Sequence, residues 1–294
     1  MEVRQGMRCG LCPARAWRER DKIAVTTLDS SAAWASATRM VAANRDLLMA
    51  IAGVFFVLPW LASSVFVPAP VITDSLTEAQ KIAQLQAYLA SSLPVLIGLS
   101  LPTMVGVLTM LVAMLDPSRP TVGGCIRRGL GVFPAYLASQ LAIVLVWTIA
   151  FGVFSAVAGL VASDKVALVA VIFALFYFVV RTILVAPVMA RQAIRNPLLA
   201  IRESIRLTRG NVGRILSFIG LSGLLFFIVY GLMMTFVSVV LVLLLQGEPQ
   251  RLLGEGLGCI LLAIGNTYYV AMLAAIYCQL AGSASGPASG QAPV

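Results

Sequence analysis

Histidine does not occur once in the 294 residues. Its absence removes the side chain that most often moves protons near neutral pH, and with it any serine–histidine–carboxylate triad. Metal sites are restricted too. The five cysteines are Cys9, Cys12, Cys125, Cys259 and Cys278, and only Cys9-Gly-Leu-Cys12 has ligand spacing. A structural zinc needs four ligands, so neither a metal nor a disulfide is expected, and no cofactor is implied. Cys125, Cys259 and Cys278 lie in or near apolar segments, where cysteine behaves as a small hydrophobe. No glycine-rich loop ends in Lys-Ser or Lys-Thr to hold a nucleotide phosphate. With no catalytic constellation in view, the chain is expected not to be an enzyme.

Charge is the other scarcity. It makes up 11% of the chain, against about 25% in a soluble domain. Hydrophobic residues make up 60%, and the mean hydropathy is +0.95. The charges leave long gaps: 27 residues between Asp46 and Asp74, 34 between Lys81 and Asp116, 35 between Arg128 and Asp164, and 33 between Arg214 and Glu248. None follows Glu255. A membrane helix needs ~20 mainly apolar residues to cross ~30 Å of hydrocarbon, and each gap is long enough. The alternation of a membrane barrel is absent. The expected fold is all-α: a polytopic bundle with spans near Leu47–Val67, Ser92–Leu115, Phe133–Leu160, Val166–Ala186, Ile215–Leu245 and Gly256–Leu280. Residues 29–281 form its membrane domain.

Lysine and arginine fall mostly on one side. Seventeen of the 21 lie before the first span or in the loops between spans 2 and 3 and between spans 4 and 5. Lys81, Lys165 and Arg251 lie on the other side, and Arg181 lies within span 4. The positive-inside rule therefore places both termini in the cytoplasm. The pI of 9.8 reads as a topology signal. No basic domain stands outside the membrane, so nucleic acid is not an expected partner.

Residues 1–28 differ from the rest. "MEVRQGMRCGLCPARAWRERDK" has no apolar core and is no secretory signal. It reads either as a disordered basic tail or as the product of an upstream start codon, with Val25 the true start. Residues 282–294 are rich in Gly, Ser, Ala and Pro and read as disordered.

The segment "NPLLAIRESIRLTRGN", Asn196 to Asn211, concentrates charge between two apolar runs. Asn196 suits an N-cap, Pro197 the first helical position, and Gly210 the C-terminal stop. At 100° per residue, Arg195, Arg202, Arg206 and Arg209 fall within about 60° of one another, beside Leu198, Ile201 and Ile205. This pattern predicts a short helix in the membrane interface. Planar guanidinium forks suit lipid phosphates. The stripe has three readings: enforcement of topology alone, a site for anionic headgroups or a protein partner, or pairing with Glu203, Asp116 and neighbouring segments. Similar segments precede spans 1 and 3. Ser31–Asn44 has Asp29 or Ser30 as its cap, and Arg39 stands five residues before Asn44, as Arg206 does before Asn211. Thr121–Gly129 is shorter and also ends in basic residues and glycine. The order interfacial helix, span, span thus predicts a threefold, parallel two-span repeat. On the opposite side, Ser75–Ser92 reads as helical, either extending span 2 or lying along the surface.

Arg181 is the one ionisable side chain well inside a predicted span. Such a charge is a functional candidate by default. It also lies close enough to one interface to snorkel, or to tie to Asp116 or to span 6. Asn266, Thr267, Tyr268 and Tyr269 form a polar patch in span 6, suited to interhelical hydrogen bonds or to a substrate path. Pro94, Pro102, Pro134 and Pro187 can kink or end helices. No carboxylate pair lies within the spans, which counts against a proton- or sodium-coupled carrier.

The residues Arg181, Pro187, Asn196-Pro197-Leu198, Ala200-Ile201, Ser204 and Leu207-Thr208-Arg209-Gly210-Asn211 carry a resemblance. The chain resembles the membrane domain attached to some bacterial glycerophosphoryl diester phosphodiesterases, and its stand-alone relatives. In that family a P-x-x-A-(I/L)-x-x-S segment, followed by a basic residue and glycine, sits on a cytoplasmic helix. The match covers mainly Arg181–Ile215. The resemblance implies a bacterial inner-membrane location. It does not imply hydrolysis: that chemistry belongs to a separate soluble barrel of ~250 residues, for which this chain has neither room nor histidine. The expected function is a non-catalytic accessory or scaffold domain that contacts membrane lipid or a protein partner through Arg195, Arg202, Arg206, Arg209 and Asn211. The alternative is a small-molecule permease or channel with Arg181, Asn266, Thr267 and Tyr268 along its path.

Overall fold

The computed structural model describes residues 27–67, 77–116, 118, 120–161, 164–244 and 247–283, and every regular element among them is a helix. In chain order these are α1 (Ser30–Ala43), α2 (Arg45–Ala52), a π-helical turn (Gly53–Val57), α3 (Leu58–Phe66), α4 (Glu78–Leu115) and α5 (Val122–Val161). Then come α6 (Asp164–Thr182), α7 (Val185–Gln192), α8 (Pro197–Thr208), α9 (Val212–Leu244) and α10 (Glu248–Ser283). Six stretches are long and apolar enough to cross a membrane: Arg45–Ser64, Glu78–Leu115, Val122–Ala156, Val169–Gln192, Val212–Leu244 and Pro249–Gly282. The chain is an all-α polytopic bundle, and each predicted span falls on one of these stretches. The Cys9–Cys12 pair, the proposed start at Val25 and residues 284–294 lie outside the described residues. Helix α10 runs through Gly282 and Ser283, two residues into the stretch read as a tail.

Proline acts differently from site to site. Pro94 and Pro102 lie inside α4, and Pro134 inside α5, without ending either helix. Span 4 is broken: α6 stops at Thr182, and α7 begins at Val185 with Leu184 as its cap. Pro187 stands in the first turn of α7, where its missing N–H would have had no helical partner and its ring excludes a continuous helix through Ile183. In span 1, Pro59 cannot donate to the carbonyl of Phe55, and the ladder widens into the π-helical turn just before it. Ser75–Ser92 proves to be largely an extension of span 2. Thr77 and Gln80 form a capping box, and α4 then runs unbroken for 38 residues.

The first and third predicted repeat units match in outline. In each, a short helix leads through an asparagine turn into a span. Asn44 joins α1 to α2, and Asn211 joins α8 to α9. Their carbonyls accept from Leu48 N and Ile215 N at 2.9 Å in both cases. The middle unit differs, because Thr121–Gly129 leads straight into α5 with no turn before the span. Its polar start has no asparagine to divert the backbone.

Helices α4 and α10 are central. More than half (56%) of the most apolar stretch of α10 is buried, against none of that of α9. Both described ends of the chain meet at one end of the bundle. Asp29 N–H donates to Gln279 Oε1 at 3.3 Å, and Gln279 Nε2 donates to the Asp29 carbonyl at 3.1 Å. Fully buried Ala33 and Ala37, one turn apart, let α1 lie close against α10.

Candidate functional site: the basic end of the bundle

Helix α8 forms as its sequence predicts. The Asn196 side-chain oxygen accepts from Leu198 N at 3.0 Å and Leu199 N at 3.4 Å, and Pro197 follows it. Beyond the helix, Gly210 takes the left-handed conformation (φ 82°) that favours glycine. Ala200, Glu203, Ser204 and Thr208 face inward and are buried. The outward arc spans roughly 120° at 100° per residue. It holds Leu198, Leu199 and Ile205 beside Arg202 and Arg206, all exposed. Arg195 precedes the helix and Arg209 is its C-cap, so of the four arginines only Arg202 and Arg206 lie on the helix itself. Arg206 pairs with the nearly buried Glu203 at 2.6 Å.

Arg181 holds α8 to α6. Its Nη1 donates to the Ile205 carbonyl at 2.9 Å, and Ser204 Oγ donates back to the Arg181 carbonyl at 2.8 Å. Its Nε and Nη2 donate to Tyr177 Oη at 3.1 and 2.6 Å, and its guanidinium carbon lies 5.1 Å from the centre of the Tyr177 ring. These bonds occupy the guanidinium locally. Asp116, one of its expected partners, pairs with Arg128.

The span 6 residues make other contacts. Thr267 Oγ1 donates to the Ala263 carbonyl at 2.8 Å, and Tyr268 stacks on Trp34 of α1 with ring centres 6.3 Å apart. Asn266 and Tyr269 are half-buried. The structure does not bring Arg181 and this patch together around either cavity described below. Asn211 is 2% exposed, and its side-chain oxygen accepts from Leu28 N at 2.9 Å. It fixes the entry to α1 and does not share the outer surface with Arg202.

Two cavities lie outside these expectations. One, of about 490 Å³, opens between the end of α4, the start of α5 and the end of α7, and is lined by Arg127, Arg128, Arg191 and Arg195 with Asp116. Counting basic residues found these arginines and could not converge them, because they belong to separate segments. The other is a groove of about 800 Å³ at the opposite half, between α3, α9 and α10. Trp60, Ser63, Tyr230, Arg251 and Glu255 are among its walls. Among the described residues, no three or more Cys, Asp or Glu gather into a metal-ligating group. No family model, curated protein or solved structure matches the chain.

Proposed function

We propose that the chain is a non-catalytic accessory or scaffold protein of the bacterial inner membrane. Its basic end faces the cytoplasm, and α8 lies in the interface holding anionic lipid headgroups. One observation carries this reading: the exposed arc of α8, on which Leu198, Leu199 and Ile205 stand beside Arg202 and Arg206. In water such an arc leaves three large apolar side chains without cover. At a membrane surface the leucines and isoleucine enter the acyl boundary while the guanidinium groups meet phosphates. The excess of lysine and arginine at this end supports the cytoplasmic orientation. The resemblance to the phosphodiesterase-associated membrane domain supports the accessory role, because its motif falls on α8.

The test removes charge and leaves the buried Glu203 paired. Arg202→Gln with Arg209→Gln spares the Arg206–Glu203 contact. After gentle extraction from a membrane containing phosphatidylglycerol, native mass spectrometry of this variant is expected to show several-fold less bound anionic lipid than wild type, at an unchanged melting temperature. Equal retention in the two proteins would remove the headgroup reading.

A further inference from the structure

We propose that the cavity between α4, α5 and α7 is a binding site for a phosphate group, distinct from the outward face of α8. The charge balance comes first. Four arginines line the cavity against one carboxylate, Asp116. Asp116 is mostly buried, with a side chain 16% exposed, and is already paired with Arg128. It also accepts from Ser118 N–H at 2.9 Å. The side chains of Arg127, Arg191 and Arg195 form no hydrogen bond or ion pair among the described residues. The lining thus carries more positive charge than Asp116 balances, and a bound anion offsets the excess.

Helix-end electrostatics account for only part of the cluster. Arg191 lies in the last turn of α7, where a cation suits the helix dipole. Arg127 and Arg128 lie in the second turn of α5, where the dipole offers a cation nothing. A topology signal requires basic residues on one side of the membrane; it does not require two segments distant in the chain to bring theirs to one cavity. The turn that ends α7 also borders the cavity. Ala193 is the one non-glycine residue with positive φ among those described, at 51°. Its left-handed turn ends α7 and lines the same cavity as Arg191 and Arg195.

The chemistry of the lining selects the ligand class. Arginine forks match the tetrahedral oxygens of phosphate with pairs of charge-assisted hydrogen bonds. About 490 Å³ accommodates a phosphate group together with part of the molecule that bears it. That phosphate belongs either to a lipid headgroup entering sideways or to a soluble anion from the aqueous side. The proposal does not rest on the lipid role of α8, since only Arg195 is common to both sets of residues.

The experiment uses the full chain in a neutral detergent, with two probes titrated separately by native mass spectrometry: inorganic phosphate, and short-chain phosphatidic acid against short-chain phosphatidylcholine. A saturable one-to-one adduct with at least one phosphate probe is expected, and none with phosphatidylcholine. Arg127→Gln with Arg191→Gln should weaken it at least tenfold, whereas Lys81→Gln, outside the cavity and outside α8, should leave it unchanged. Binding of inorganic phosphate assigns a soluble anion, and binding of phosphatidic acid alone assigns a lipid headgroup. On the wild-type protein, the better probe should protect Arg127 and Arg191 from phenylglyoxal while Arg251, at the opposite half, continues to react, so the test survives a variant that misfolds. Absence of a saturable adduct with both probes would overturn the proposal. So would equal affinity in the Arg127→Gln/Arg191→Gln protein, or protection that does not discriminate among the arginines.

Discussion

At the end where the termini meet, α4 is buried without interruption from Leu108 through Ala113, and α10 from Val270 through Tyr277. Leu184 through Met189 pack beside them in the same core. Toward the other end, Leu145, Ile149 and Val153 of α5 and Phe236 and Leu243 of α9 are all exposed. In water the second set would count as a large defect. In lipid it does not, because hydrocarbon solvates leucine as well as another helix does, and specificity has to come from close packing and hydrogen bonds. At the basic end these include the Arg181 bonds to α8, the Asn211 bond to Leu28, and the close approach of Gly129 to Thr109. The difference teaches where a substitution is felt. The basic end is a packed platform that fixes the positions of its charges, and the opposite half is apolar surface shaped to meet lipid.

The largest expected effect tests that contrast on a single helix. A Cβ on Gly129 would lie 2.8 Å from Thr109 Oγ1 and 3.2 Å from Thr109 N, so side chain and backbone of α4 both stand in its way. A Cβ on Gly152, farther along α5, meets nothing within 4 Å. Gly129→Leu should therefore destabilise the bundle by about 3 kcal/mol through overpacking, read as a lowered melting temperature in detergent. Gly152→Leu should leave it unchanged or slightly raised. Equal losses in the two variants would break the comparison between the ends.

An intermediate effect is expected at Arg181. Arg181→Met removes the bonds to the Ile205 carbonyl and to Tyr177 Oη while keeping most of the side-chain volume. Hydrogen bonds from a charged group, discounted for a half-exposed site, suggest about 1–2 kcal/mol. Amides of Leu198–Thr208 should exchange roughly tenfold faster, with little change in α9. Arg181→Lys should recover only part of the loss, because an ammonium cannot bridge both acceptors in the geometry of the fork. Unchanged exchange in α8 would mean that Arg181 does not hold it.

These contrasts also explain what could be read from the sequence. The six spans were legible because hydrocarbon imposes composition over ~20 residues at a time. The caps of α8 were legible because Asn196, Pro197 and Gly210 act on their own neighbours. Which proline ends a helix was not. Of the four prolines expected to kink or end helices, Pro94, Pro102 and Pro134 are carried inside long helices, and Pro187 alone coincides with a new helix start. The α8 partner of Arg181 and the partner of Asn211 lie 24 and 183 residues away, beyond any local pattern. The arginine cavity was hidden for the same reason, since α4, α5 and α7 each contribute a fragment of it. Periodicity placed Arg195 and Arg209 on a wheel with Arg202 and Arg206, although the helix covers only the inner pair.

The smallest effect concerns Asp29, where the docking of α1 meets solvent pH. Its carboxylate accepts from Ser31 Oγ at 2.7 Å, Ser31 N at 2.9 Å and Ala32 N at 3.1 Å. The Ser31 hydroxyl above all, with these backbone N–H groups, holds its pKa below the ordinary aspartate value. A group with a lowered folded-state pKa stabilises the fold fully above its unfolded pKa of about 3.9, and loses that contribution as pH falls through the folded value. The cap should thus be intact at neutral pH and weaken only in acid, below about pH 4. Hydrogen exchange of Ser31–Ala37, corrected for its intrinsic pH dependence, is expected to be constant from pH 7 to pH 5 and to rise below that window. Asp29→Asn, which keeps a capping oxygen but cannot titrate, should flatten the acid limb while leaving α8 and the opposite half untouched. If the acid limb persists in Asp29→Asn, another carboxylate governs this end of the molecule, and Asp116 beneath Arg128 becomes the group to replace next.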